Sequence, residues 1–204
     1  MPDNTPDHYD DLEGLLRTGE ALMVRGRADR KSPAHTPTLA TIGLDGAPRL
    51  RTVVLRGFDA EARTARAHTD ARAAKVAEIG ADPRVSLHAY HAGQKLQVRL
   101  QGEARLIAGE AAREVWERMN GFSRRCYFAE PAPGSAVPEP TSGVEGIAPS
   151  GEATTEALEA AFAHFTIVEI AYDALEVLYL HADGHRRARV RWDGSRREAV
   201  WLVP

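Results

Sequence analysis

Between Thr36 and Ile107 the chain runs through five short β-prone segments separated by tight-turn residues, a spacing that dictates antiparallel pairing. Leu39-Ala40-Thr41-Ile42 reads as a strand, Asp45-Gly46 as a hairpin turn, and Arg49 to Phe58 as the returning strand. On that strand Leu50, Thr52 and Val54 point one way, and Arg51, Val53 and Leu55 the other. Arg63 to His68 continues the meander, Ala71 to Ile79 reads as a short helix, and Asp82-Pro83 ends that connection. Val85 to His91 and Leu96 to Ile107 add two strands around a turn at Gly93. Short strands joined so tightly protect their edges by closing on themselves, so the segment predicts a small antiparallel barrel.

The rest of the chain reads as additions to that barrel. Leu12, Leu15, Leu16, Leu22 and Met23 form one apolar stripe over residues 10–26, an amphipathic opening helix. A second helix is expected over Gly109 to Met119 and a third over Thr155 to Phe162. Between them, residues 131–155 hold five Pro and four Gly without periodicity, which reads as an exposed arm. Phe165 to Ile170, Glu176 to Leu180, Arg186 to Trp192 and Ala199 to Val203 supply further strands. The apolar ending Trp201-Leu202-Val203-Pro204 predicts a docked C-terminus. Together, residues 1–204 read as one domain of mainly β, α+β character with peripheral helices.

Composition removes several function classes. A net charge of -3 argues against bulk nucleic-acid binding, which needs a net basic surface. No apolar run approaches the roughly 20 residues of a membrane helix. The single cysteine, Cys126, forms no internal bridge, so a reducing, cytoplasmic setting is the expectation. Arg124 and Arg125 beside it favour a lowered thiol pKa, but no base partner is evident. His88 and His91 point to opposite faces of their strand and cannot share a metal ion, so no metal site is expected. Only three of the 26 basic residues are Lys, namely Lys31, Lys75 and Lys95.

One cluster carries chemistry. Arg51 sits inside an apolar strand, while Thr69, Arg72 and Lys75 bracket the start of the short helix that follows. A hydroxyl and two cations at a helix start suit a phosphate dianion, and Arg51 can complete the clamp. Gln97 offers both a donor and an acceptor to the edge of a planar heterocycle. Spacing alone leaves the plainer reading open, a half-exposed strand beside a solvated helix end.

Taken in order, these segments resemble the pyridoxamine 5'-phosphate oxidase-like flavoproteins, the family with an FMN-binding split barrel. The resemblance runs through Leu39-Ala40-Thr41, Asp45-Gly46-x-Pro48, Arg51-Thr52-Val53-Val54-Leu55-Arg56, Thr69-Asp70, Lys75, Asp82-Pro83-Arg84-Val85 and Gln97-Val98-Arg99-Leu100-x-Gly102. It implies an FMN whose phosphate contacts Arg51, Lys75 and Arg72. Its ring would lie along Arg51, Thr52, Val53, Val54, Leu55 and Arg56, with His68, Thr69 and Gln97 beside it. It also implies a homodimer with each flavin at the interface and Arg189 donated across it. Substrate-side contacts are expected from Arg56, Arg125 and Arg187.

The chain departs from the oxidase pattern in places that bear on substrate. Arg56 replaces the family lysine, and His68 the aromatic before the threonine. Ala73-Ala74-Lys75 stands for Ser-Arg-Lys, with Arg72 supplying the arginine as in a Thr-Asp-x-Arg subgroup. Gly134-Ser135 is the only counterpart of the Gln-Ser pair, Leu178 replaces the C-terminal tryptophan, and Arg186-Arg187-Ala188-Arg189 replaces Arg-Leu-His-Asp-Arg. The resemblance therefore implies an FMN-dependent oxidase of a small amine or alcohol, with oxygen as acceptor. It does not carry over recognition of pyridoxal phosphate. Two other readings stand beside it: a flavin reductase of another small molecule, and an FMN-binding protein without turnover.

Overall fold

The computed structural model describes residues 6–147 and 153–204. Nine strands are present: β1 (Thr38–Ile42), β2 (Pro48–Thr52), β3 (Leu55–Asp59), β4 (Thr64–Asp70), β5 (Arg84–His91), β6 (Leu96–Ile107), β7 (Phe165–Tyr179), β8 (Arg186–Asp193) and β9 (Arg196–Leu202). They pair antiparallel in the order β2-β1-β5-β6-β7-β4-β3, and β8 and β9 extend the sheet from β7. Strands β2 and β3 lie at opposite ends of the main order, yet only Val53 and Val54 separate them. Laid flat, seven strands would put them about 29 Å apart, whereas two linking residues reach about 11 Å. The sheet therefore has to roll upon itself, as the barrel expectation requires.

The inward face is built from matched rows. Leu39, Leu87, Leu100, Leu175 and Val190 lie opposite one another across five strands and are all buried. Helix α1 (Leu12–Ala28) closes over this core with Leu15, Leu16, Leu22 and Met23, the stripe legible in the sequence. Gly19 lets it approach, because a Cβ there would run into Val177 of β7. A second, smaller cluster gathers Trp116, Tyr127, Phe162, Phe165 and Ile167 beneath helices α3 (Glu110–Arg118), α4 (Gly121–Arg124) and α5 (Thr155–Ala163).

Three expectations need correction. Arg49 to Phe58 is not one strand: Thr52 still pairs with β1, but by Leu55 the chain has crossed to β4. Phe165 to Tyr179 is one strand rather than two, because its pairing with β6 continues through a bulge at Gln101/Gly102. The C-terminal strand docks on β8 through Leu202 by backbone pairing, but its apolar side chains stay uncovered within the chain, with Trp201 41% and Val203 90% exposed. The arm is exposed over most of 131–147, and its residues 148–152 lie outside the described residues. No helix among the described residues is long and apolar enough to cross a membrane.

Candidate functional site

Arg51 enters the site because of its register. It lies opposite Leu39, so the apolar row Leu39–Leu87–Leu100–Leu175 ends in a guanidinium on the core side of the sheet. A cation in that position, its side chain only 22% exposed, needs partners. Its Nη1 donates to Thr41 Oγ1 at 2.5 Å and its Nη2 to Glu78 Oε2 at 2.6 Å. The Thr41 hydroxyl in turn donates to the same Glu78 oxygen at 2.5 Å. Both Thr41 and Glu78 are buried.

Glu78 belongs to α2 (Ala74–Ala81), the short helix expected after Thr69-Asp70. Lys75 stands one turn earlier on the same helix, on the same side as Glu78. Its Nζ donates to Thr69 Oγ1 at 3.0 Å. Burial pushes the Lys75 ammonium below its ordinary value and the nearby Arg51 charge adds to that, while Glu78 and Asp70 oppose it. The fold thus gathers Arg51, Lys75, Thr69, Thr41 and Glu78 from two strands, a helix and a strand end. Two cations and a hydroxyl gathered this closely form a donor set suited to a phosphate.

Arg72 does not join them. Its Nε and Nη2 grip Asp70 in a fork, and Nη1 and Nη2 also donate to the carbonyls of Glu130 and Ala129. Burial opposes it, but the Arg72 hydrogen bonds hold the Asp70 carboxyl below its ordinary value. The expected phosphate clamp is here a clasp on the root of the arm. Arg125, expected near substrate, donates to the Val144 carbonyl instead. The Cys126 thiol is raised by burial rather than lowered by its arginine neighbours.

His68 points to the other side of β4 from Thr69 and packs edge-on against Phe165 with ring centroids 5.1 Å apart. Its Nδ1 is buried with no hydrogen-bond partner among the described residues. Burial, helped by the Arg56 charge, lowers its pKa to about 4, so the ring is neutral at pH 7. Arg56 and Thr52 are exposed, Val53 and Val54 half-buried, and Leu55 fully buried against the core.

Gln97, Arg187 and Arg189 form a separate group. They alternate with the core residues Leu96, Val98, Ala188 and Val190, so they face outward. Arg187 and Arg99 share the buried carboxylate of Glu176 at 2.8 Å each. No hydrogen bond or ion pair among the described residues joins this group to Arg51 and Lys75. Leu50 and Tyr90 are exposed on the same outward face.

Residues 20–108, which hold every member of the Arg51–Lys75 group, match the family model described as pyridoxamine 5'-phosphate oxidase, FMN-binding domain. This segment is similar to that family's FMN-binding domain. Curated relatives agree: pyridoxine/pyridoxamine 5'-phosphate oxidase 2 of Arabidopsis thaliana is 33% identical over 48% of this chain and 52% of its own. A pyridoxine/pyridoxamine 5'-phosphate oxidase of Xanthomonas oryzae is 32% identical over 47% of this chain and 48% of its own. The chain spans about half the length of these relatives. Among solved structures, a pyridoxamine 5'-phosphate oxidase-related, FMN-binding protein from Nostoc punctiforme superposes with a TM-score of 0.68 at 19% identity, covering 99% of this chain and 100% of its own. PhzG from Burkholderia lata, solved with tetrahydrophenazine-1-carboxylic acid, gives 0.68 at 19%, covering 99% and 98%. The split-barrel fold and its cofactor, FMN, follow for the FMN-binding domain.

The sequence reading named Arg51, Lys75 and Thr69 but missed Glu78 and Thr41. Both were visible as polar residues in otherwise apolar elements, yet neither has a spacing that announces a partner 27 or 37 positions away.

Proposed function

We propose that the protein is an FMN-dependent oxidase of a small amine or alcohol, with Arg51, Lys75 and Thr69 holding the flavin phosphate. The observation that carries this reading is the gathering of Arg51 and Lys75 about Glu78, near enough for their charges to act on one another, beside the Thr69 hydroxyl. FMN, when bound, accepts a hydride equivalent from substrate carbon and passes the electrons to oxygen. The chain's own task is to bind, orient and exclude water. Thr52, Val53, Val54 and Arg56 line the ring, Leu55 offering only its backbone because its side chain is buried in the core. The neutral imidazole of His68 leaves an unspent ring nitrogen near Arg56.

The second, outward group calls for a second copy of the chain. A flavin held by Arg51 and Lys75 gains Gln97, Arg187 and Arg189 only from another subunit, so the working form is a homodimer with a composite site. Exposed Leu50 and Tyr90 on that face supply apolar area for the interface. Arg56 is the substrate-side cation, since it is exposed and has no hydrogen-bonded partner among the described residues. Arg125 and Arg187 are both engaged, which weakens their assignment to substrate. Arg72, gripped by Asp70, drops out of the phosphate contacts.

The test is an absorption spectrum of the purified protein with and without added FMN, followed by donor screening under air with peroxide as readout. Yellow protein that releases peroxide with an amine or alcohol donor supports the oxidase. Bleaching of the flavin by a nicotinamide donor without peroxide marks a reductase instead. Flavin binding with no donor at all marks a carrier, and failure to take up FMN overturns the assignment.

A further inference from the structure

A site for a phosphate dianion is expected to concentrate positive charge, yet α2 places a buried carboxylate inside this one. Glu78 lies on the same side of the helix as Lys75 and accepts hydrogen bonds from both Arg51 and Thr41. The Arg51 guanidinium spends Nη2 on Glu78 and Nη1 on Thr41, while no hydrogen bond among the described residues engages its Nε. An anion therefore reaches Arg51 alongside Glu78, not in its place. It is drawn by two cations and repelled by one carboxylate in surroundings that screen charge far less than water does.

We propose that Glu78 is an internal counter-ion that limits how strongly the site prefers a phosphorylated flavin to an unphosphorylated one. The inference rests on the FMN reading of Arg51 and Lys75. Without flavin, Glu78 balances two neighbouring cations and holds them together. With flavin bound, the phosphate takes over that balance and Glu78 opposes it.

Glu78→Gln separates the two contributions. A glutamine carbonyl still accepts from Arg51 and Thr41, so the guanidinium stays in place, while the negative charge is gone. Titrations of FMN and riboflavin into flavin-free wild-type and variant protein read the outcome. The expected result is a preference for FMN over riboflavin at least tenfold greater in the variant, with riboflavin affinity unchanged. The flavin-free variant unfolds at lower temperature, because a half-buried cation has lost its charge partner, and FMN raises its Tm by more than in wild type. A preference that is unchanged or reduced, or an equal change for both flavins, overturns the proposal. Should the flavin-free variant not fold, protein purified with FMN bound carries the same reading through its rate of FMN release. Slower release than wild type supports the counter-ion, and equal or faster release overturns it. Wild-type protein that binds neither flavin sinks the FMN reading itself. Wild-type protein that prefers FMN, with a variant that behaves identically, sinks only the role of Glu78.

Discussion

Arginines on the sheet pair with buried carboxylates, whereas three arginines bordering the helical annex reach backbone carbonyls, although Arg113 and Arg118 of α3 pair with the exposed carboxylates of Glu159 and Glu114. Arg51 pairs with Glu78, Arg66 and Arg105 with Glu169, and Arg99 and Arg187 with Glu176. Arg72 instead reaches the carbonyls of Ala129 and Glu130, Arg124 those of Trp116 and Glu117, and Arg125 that of Val144. The reason lies in the backbone. Most sheet carbonyls are engaged in the ladder, so a cation there turns chiefly to side chains, Arg51 adding only a 3.4 Å bond to the Arg49 carbonyl; helix ends and an irregular arm leave carbonyls over. Arg72, Arg124 and Arg125 therefore act as staples on the backbone, while the sheet arginines hold buried carboxylates.

The largest expected effect tests whether the two regions are separate packing units. Leu100→Ala and Trp116→Ala each remove a buried side chain, at a cost of about 4 kcal/mol. Thermal unfolding should drop for both, but hydrogen exchange should quicken throughout the sheet for Leu100→Ala and only around α3 to α5 for Trp116→Ala. Uniform quickening in both would merge the two units into one.

Acid sensitivity comes next and belongs to their seam. His68 has its pKa lowered from 6.5 to about 4 in the folded protein, first by burial and then by Arg56. The unfolded chain therefore takes up the proton first as pH falls. The stability from this neutral ring is whole above 6.5 and is lost on the way down to about 4, up to about 3 kcal/mol. Denaturant titrations at several pH values should show that slope, and His68→Phe should flatten it.

Smaller again is the contrast between two neighbouring cations. Lys75→Met should weaken FMN binding about a hundredfold and leave riboflavin binding alone, since a charged hydrogen bond is worth about 3 kcal/mol. Arg72→Met should leave FMN affinity within about twofold. Its cost of about 1–2 kcal/mol should appear as lower stability and faster proteolytic cleavage of the arm. A large loss of FMN affinity in Arg72→Met would return that residue to the phosphate site.

Much of the barrel was legible because its signals are local. Asp45-Gly46 fixes the first hairpin, with Gly46 at φ 78°, and the alternation of Leu96 to Ile107 matches β6 end to end. The break at Val53-Val54 was hidden because both residues are good strand formers; only the exchange of partner from β1 to β4 ends one strand and begins another. Strand β7 looked interrupted because Asp173 and Ala174 interrupt its apolar run, although the bulge absorbs the irregularity. In the site, Arg51 was legible as a cation in an apolar strand, which always demands an explanation. Glu78 was not, because its burial depends on α2 folding back over β1, and no neighbour in the sequence records that. The destination of Arg72 was equally hidden, since carbonyls in an aperiodic arm leave no trace in side-chain chemistry.

The place of β7 in the sheet has a consequence for synthesis. It pairs with β4, β6 and β8, yet β6 ends at Ile107 and β7 begins only at Phe165. While the ribosome is still making the annex, β4 and β6 each present an unpaired edge to their surroundings. The nascent chain must carry both until a single late strand stitches them together, so sheet closure is slow and late in the chain's history.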